Sequence, residues 1–169
     1  MFSIFIGEVM SLKCLERLIK NRGFIPPMLL SSSKIRLLIK ELMDGYDEEC
    51  VQPASYDLRA SSLLKMGKKE HALCSTMEWV HLPLNIAGMI WLRSTWARKG
   101  IFFAGGWVDP GFNGNLTLSL FNSSEAEIQI EEEGRIAQMG FLRLEGGSEG
   151  YKGAYQESKG RVGPKIIKN

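Results

Sequence analysis

The sequence has few of the residues from which metal centres and disulfide frameworks are built. Its 169 residues include three cysteines and two histidines. Cys14, Cys50 and Cys74 are widely separated and form no CxxC pair, which disfavours a disulfide scaffold or a zinc site and is typical of a reducing cytoplasm. His71 and His81 lie far in sequence from any acidic or cysteine cluster, so we interpret both as surface or structural residues.

Long apolar runs and a strong excess of one charge are also missing. No segment approaches the roughly 20 apolar residues that a membrane-spanning helix needs, so we predict no membrane association. The net charge of +2 lacks the broad positive field of a protein that grips a nucleic-acid polymer. The GxSxG, Walker and zinc nucleobase-deaminase motifs are absent as well. The length and the hydrophobic content of 44% suit one compact domain.

The sequence changes from helical to β-type patterning near Val51. Ser11 precedes one short series of apolar residues at helical spacing, and the serines at 31–33 precede a second that ends near Gly45. After Val51, short alternating or apolar runs take over, separated by Gly, Pro and Asn. We interpret residues 122–124 as the turn of a β-hairpin.

A glycine-rich stretch at 104–114 places one acidic residue, Asp109, in a tight turn. Leucines alternate with polar residues in the following stretch, 115–120, which is typical of a half-buried strand. This pattern predicts a site on a β scaffold, with Asp109 at its rim. An Asx-type turn before Pro110 would explain the same carboxylate without a site.

Four short polar motifs follow one another in a fixed order, at 54–59, 93–100, 106–114 and 134–138. Together they resemble the motifs of the dUTPase and dCTP deaminase superfamily over about residues 28–144. The resemblance implies a mainly β fold, a distorted jelly-roll β-barrel of the dUTPase type with one or two short N-terminal helices. It also implies a homotrimer whose sites lie between subunits.

The resemblance, taken with the composition of the C-terminal tail, divides the chain into three parts. Residues 1–27 would be an N-terminal extension with a short helix, and residues 28–145 the dUTPase-like barrel with its leading helix. Residues 146–169 would be a flexible, Gly-rich arm without a packed core position of its own.

Residues of each motif receive an expected role from the resemblance. Asp109 matches the residue that activates the attacking water in dUTPases. The expected phosphate ligands are Arg93, Ser94, Thr95, Arg98 and Gln138. The expected deoxyribose and base contacts are Gly106, Val108, Phe112, Asn113 and Gly114, with Phe112 beneath the sugar. Tyr155, Lys159 and Arg161 would contact the substrate from the arm. By residue type alone, the arginines also suit an exposed strand end, and Phe112 suits an ordinary core position.

Mg²⁺ is the implied cofactor, held mainly by the substrate phosphates, with Asp57 as a candidate to support it. Deaminases of the superfamily carry a glutamate ten positions after the aspartate, whereas Ser119 stands there in this chain. A serine cannot replace a carboxylate base without an activating partner, and no histidine is near it in sequence.

We therefore interpret the chain as a dUTP diphosphatase. It would hydrolyse dUTP to dUMP and pyrophosphate by Asp109-activated attack of water on the α-phosphate, limiting dUTP and supplying dUMP for dTMP synthesis. Two alternatives stay open. One is a dCTP deaminase or a bifunctional dCTP deaminase and dUTPase, and the other is a non-catalytic, nucleotide-binding regulatory trimer.

Overall fold

A computed structural model describes residues 28–165 of the protein. Its strands are β1 (Met28–Leu29), β2 (Met43–Asp44), β3 (Val51–Gln52), β4 (Ser55–Arg59), β5 (Leu64–Met66), β6 (His71–His81), β7 (Ile86–Leu92), β8 (Ile101–Phe103), β9 (Trp107–Val108), β10 (Asn113–Asn122), β11 (Ile128–Ile130) and β12 (Arg135–Arg143). Two helices, α1 (Ser32–Leu42) and α2 (Ser94–Arg98), and a 3₁₀ turn (Glu48–Cys50) lie between them. Neither helix of this described part is long and apolar enough to cross a membrane.

Helix α1 forms where apolar residues recur at helical spacing. Ile35, Ile39 and Leu42 fall on one face and are buried, and Ser31 occupies the N-cap position. The helix ends at Leu42 because the next residue adopts an extended backbone and enters β2. The predicted second helix is therefore confirmed, whereas the helix predicted after Ser11 lies outside the described residues.

The strands form two larger sheets and one two-stranded ribbon. The first sheet has the order β3-β4-β12-β7-β9, with β1 also paired to β12. The second has the order β2-β6-β10-β8, and β5 pairs with β11. Side chains from α1 and from both larger sheets share one buried core. This confirms the predicted fold class, a mainly β, jelly-roll type of barrel with a short leading helix.

In strand β10 the alternation of apolar and polar residues in the sequence matches an alternation of buried and partly exposed side chains. Every second residue from Leu116 to Leu120 is buried, and the polar residues from Asn115 to Ser119 that alternate with them are partly exposed. The strand runs antiparallel to β6 along most of its length, with a bulge between Asn115 and Thr117. The predicted alternation is confirmed, and it leaves one polar face of β10 available for a site.

The hairpin predicted at residues 122–124 is wrong. Strand β11 follows this turn, but it pairs with β5 rather than with β10. The buried amide of Asn122 donates to the carbonyls of Met66, Gly67 and Ala126 at 2.8–3.2 Å. These bonds tie the turn to the end of β5, so the chain leaves its sheet there.

A buried ionic cluster links the two larger sheets. Glu78 of β6 is fully buried and accepts hydrogen bonds from Arg59 Nε at 2.8 Å and from the Tyr56 hydroxyl at 3.2 Å, both on β4. The backbone N–H of Arg59 donates to the other carboxylate oxygen at 3.0 Å. Burial, together with the charge of Glu78, raises the pKa of Tyr56 far above its ordinary value.

The C-terminal segment packs on the barrel, so the prediction that it has no packed position of its own is wrong for residues 151–158. Tyr151 and Tyr155 lie against the core, and Ser158 is buried. Ser158 forms a parallel bridge with Gly114 of β10. Composition did not reveal this packing because the segment binds β10 largely through its backbone. The flexibility of the arm stays a prediction.

Candidate active site

A pocket of about 520 Å³ lies against β6 and β10. Residues 103–109, with Phe112, form one side of it. The C-terminal segment contributes Tyr151, Tyr155, Ser158 and residues 162–164. The strands contribute the remaining polar side chains, His71, Asn115, Thr117 and Ser119. The pocket thus joins the glycine-rich motif, the alternating strand and the arm.

The turn at Asp109 presents a carboxylate to this pocket. Asp109 is exposed and lines the pocket, and its backbone carbonyl accepts a hydrogen bond from Phe112 N at 3.1 Å. Gly111 adopts φ +77°, a conformation that favours glycine, which allows the chain to turn this tightly. Phe112 is buried, with its ring tilted at 59° and 5.7 Å from the ring of Tyr151. The turn is therefore fixed by its backbone and by aromatic packing.

The residues predicted to contact sugar and base come together only in part. Gly106, Val108 and Phe112 line the pocket, but Asn113 and Gly114 do not. The Asn113 carbonyl accepts from Glu157 N at 2.7 Å. A Cβ on Gly114, whose φ is +149°, would lie 2.8 Å from the backbone N of Ser158. In this structure the arm, rather than a ligand, uses the open backbone at these two positions.

Of the three arm residues predicted to contact the substrate, one lines the pocket and two do not. Tyr155 lines the pocket, whereas Lys159 and Arg161 are exposed and are not among the pocket residues. The backbone N–H groups of Gly160 and Val162 donate to Asn115 Oδ1 and Thr117 Oγ1, each at 3.0 Å. The arm therefore reaches along the polar face of β10 through its backbone.

Ser119 has a partner that the sequence reasoning missed. His71 Nε2 lies 2.9 Å from Ser119 Oγ, and both side chains line the pocket. The two residues are distant in sequence, but the antiparallel pairing of β6 with β10 makes them neighbours. Alternation marks the pocket face of β10, but the sequence does not give the register of β6 on β10.

The predicted phosphate ligands lie outside this pocket. The residues 94–98 form the short helix α2 rather than a strand end, with Ser94, Thr95 and Arg98 exposed. Arg93 precedes the helix, and Gln138 lies on β12. None of these five residues lines the pocket of its own chain.

Asp57 contacts three of the side chains around this second group of residues, those of Gln138, Arg93 and Arg135. The side chain of Asp57 is fully buried. Its Oδ1 accepts a hydrogen bond from Gln138 Nε2 at 3.2 Å. Its Oδ2 lies 3.4 Å from Arg93 Nε and 3.9 Å from Arg135 Nη1. Oδ2 forms no hydrogen bond despite these ion-pair distances. Both arginine side chains remain 32% exposed. Asp57 therefore holds two guanidinium groups at a surface that an anion can reach.

No metal-binding cluster of three or more His, Cys, Asp or Glu occurs within residues 28–165. Asp57 faces arginines and an amide. Mg²⁺ is commonly held by one or two carboxylates together with substrate phosphates, whereas Asp57 is paired with two arginines in this structure.

The two cysteines in the described part are free and buried. Burial raises the pKa of Cys74 to about 11, against the opposing charge of Arg161. Burial likewise raises the pKa of Cys50. Because the thiolate is the reactive form, neither side chain is suited to act as a nucleophile near neutral pH.

The family model and the curated relatives of this chain agree with each other. A family model described as dCTP deaminase-like matches residues 63–144. The dCTP deaminase of Thermococcus sibiricus is 43% identical over 148 residues, which cover 78% of this chain and 94% of that protein. This chain belongs to the dCTP deaminase-like family. The dUMP-forming dCTP deaminase of Persephonella marina is 30% identical over 176 residues, covering 83% and 98% of the two chains.

A solved structure supports the fold of the dCTP deaminase-like chain. The crystal structure of 2′-deoxycytidine 5′-triphosphate deaminase from Agrobacterium tumefaciens matches with a TM-score of 0.63 at 19% identity. The match covers 70% of this chain and 48% of that one, so this chain spans about half the length of that protein.

Family membership confirms the predicted resemblance and makes the chain an enzyme of nucleotide metabolism. It also shows that the dUTP diphosphatase interpretation is wrong, because the relatives are named dCTP deaminases. That interpretation depended on Ser119 having no partner near it in sequence. The structure places His71 beside that hydroxyl, so the physical argument against deamination no longer holds.

Proposed function

We propose that this protein deaminates dCTP. The observation that carries the proposal is the pocket that joins the Asp109 turn to the His71–Ser119 pair, in a chain whose relatives are named dCTP deaminases. The pocket is lined by apolar side chains, among them Ile90 and Phe103, and by polar side chains of β6 and β10. Such a combination suits a pyrimidine ring, which needs stacking on its faces and hydrogen bonds at its edge.

The deoxyribose would lie over Phe112, which leaves little room for a 2′-hydroxyl. Asp109 has a carboxylate at the pocket that suits acceptance of a hydrogen bond from the sugar. Its earlier assignment as the base for attack on the α-phosphate belonged to the corrected interpretation and is not kept.

The triphosphate would bind a neighbouring protomer of a homotrimer. In support, Arg93, Ser94, Thr95, Arg98 and Gln138 lie outside the pocket of their own chain. Guanidinium forks with free donors form strong, charge-assisted hydrogen bonds to phosphate oxygens. Trp91 and Trp107, on the adjacent strands β7 and β9, are 51% and 58% exposed and give an apolar surface for a second copy to cover.

Mg²⁺ would bind chiefly to the phosphates and neutralise part of their charge. The buried carboxylate of Asp57 is already shared by two arginines, so its contribution would be to hold those arginines for the same phosphates. In the arm, Tyr155 would contact the nucleotide within the pocket, and Lys159 and Arg161 would contact it from outside.

The test is to incubate the purified protein with dCTP and Mg²⁺ and to measure ammonia together with the nucleotide products by chromatography. We expect ammonia and a uridine nucleotide in equal amounts. Formation of dUTP would match a simple dCTP deaminase, whereas dUMP with pyrophosphate would match the dUMP-forming relative. Saturable binding of dCTP without ammonia would contradict the proposal and favour a regulatory, non-catalytic trimer.

A further inference from the structure

The side chains of His71 and Ser119 form a hydrogen-bonded pair inside the pocket, and this pair carries a further inference. We propose that His71 takes the proton of the attacking water through the hydroxyl of Ser119. The inference rests on the proposed deamination and assigns its proton transfers to two residues of this chain.

The geometry comes from the pairing of β6 with β10. Ser119 pairs with Leu73, and His71 lies two pairs further along, opposite Phe121. Side chains at such diagonal positions of an antiparallel pair are close enough for long groups to meet. The imidazole spans this diagonal, and its Nε2 lies 2.9 Å from Ser119 Oγ. That distance is a normal hydrogen bond, so one proton can pass between the two atoms.

The other titratable groups of the pocket have other partners or assigned roles. They are the carboxylate of Asp109 and the phenols of Tyr151 and Tyr155. The Tyr151 hydroxyl accepts a hydrogen bond from Tyr155 N at 3.3 Å, the Tyr155 hydroxyl accepts one from Lys165 N at 3.1 Å, and the carboxylate of Asp109 is assigned to the sugar. Among the titratable side chains that line the pocket in the described part of the chain, His71 is the one hydrogen-bonded to Ser119, which places it to take and return the proton.

The proton transfers balance without any reactant besides water. As the water oxygen bonds to C4 of cytosine, its proton moves to Ser119 Oγ and the serine proton moves to His71 Nε2. The C4–N3 π electron pair moves to N3, which takes the proton back from His71. A second passage moves the proton of the new C4 hydroxyl to the amino group. The C4–N bond then breaks, the carbonyl forms and ammonia leaves.

The first test replaces His71 with glutamine, which still accepts a hydrogen bond from Ser119 but cannot carry a proton. We expect kcat for dCTP to fall by about 100-fold or more, with dCTP binding measured by calorimetry changed by less than about threefold. The acidic limb of the kcat–pH profile is expected to disappear. His81→Gln is the matched control, because His81 lies outside the pocket and contacts the carbonyl of Lys40.

The second test asks whether the two residues act as one unit. Ser119→Ala removes the hydroxyl and is expected to lower kcat as His71→Gln does, whereas Ser119→Thr keeps a hydroxyl and most of the rate. The double variant Ser119→Ala with His71→Gln is expected to be no slower than the slower single variant, because either change already breaks the relay. If the double variant loses the product of the two single-variant losses in kcat, the relay is wrong.

The outcomes separate this inference from the proposed function. If the wild-type protein deaminates dCTP and His71→Gln keeps both its rate and its acidic limb, the relay is wrong and the proposed function stands. If the wild-type protein releases no ammonia from dCTP, both are wrong.

Discussion

The buried carboxylates of Glu78 and Asp57 have similar surroundings but differ in how fully they are hydrogen-bonded. Glu78 and Asp57 are both fully buried, and both face arginine side chains. Glu78 has hydrogen bonds at both oxygens, and its partner Arg59 is itself nearly buried. Asp57 has one oxygen without a hydrogen bond, and its arginines reach solvent. The Glu78 cluster, with both carboxylate oxygens hydrogen-bonded, links the two sheets, whereas the Asp57 cluster is the one that we propose binds an anion through its arginines.

The largest expected effect is on stability, from Glu78→Gln. The change keeps the shape of the side chain but leaves the Arg59 charge without its buried partner, so we expect a loss of about 3–5 kcal/mol in the free energy of unfolding. Urea denaturation of the wild type and the variant measures this loss in unfolding free energy. The control is Glu48→Gln, which breaks the exposed pair with Arg36 and should cost less than about 1 kcal/mol. Similar losses for the two variants would remove the distinction drawn for Glu78.

A smaller effect, on activity rather than stability, is expected from Arg93→Gln. The variant removes one charged donor from the surface cluster and leaves Arg135 with Asp57. We expect kcat/KM for dCTP to fall about 10- to 100-fold, the value of one or two charge-assisted hydrogen bonds. Its stability loss should be smaller than that of Glu78→Gln. Arg36→Gln removes the same charge from an exposed helix face and should leave kcat/KM unchanged. An Arg93 variant with full activity but poor stability would make this cluster structural.

The smallest effect concerns alkaline pH and the buried cluster. Burial and Glu78 raise the pKa of Tyr56, so the folded protein keeps this phenol neutral where an unfolded tyrosine ionises, near pH 10. Its contribution is therefore fully present below about pH 10 and is lost as the pH rises further. Between about pH 9 and 11 the unfolding free energy of the wild type should fall more steeply than that of Tyr56→Phe. Parallel curves would show that Tyr56 ionises equally in both states.

Local sequence patterns predicted local features of this molecule well. The spacing of Ile35, Ile39 and Leu42 predicts α1, and the alternation in β10 predicts which of its faces is buried. The order of the four polar motifs predicts the superfamily. Each of these signals lies within a few residues or in their order along the chain, so no knowledge of distant pairing was needed.

Features that depend on distant pairing were missed. The turn after Asn122 looks like a hairpin, but its amide binds carbonyls at the end of β5, more than fifty residues away. His71 becomes the partner of Ser119 only through the register of β6 on β10. The packing of the arm depends on backbone bonds that composition does not show. Register and backbone pairing are properties of the whole sheet, so a local pattern does not determine them.

The arm also sets the length of the groove that a ligand meets. Asn115 and Thr117 share the polar face of β10 with Ser119, and each already accepts a backbone hydrogen bond from the arm. A chain shortened before Gly160 would free both acceptors and expose about 7 Å more of the strand's polar face. Residues 160–162 thus limit how much of this face a molecule bound beside Ser119 can contact.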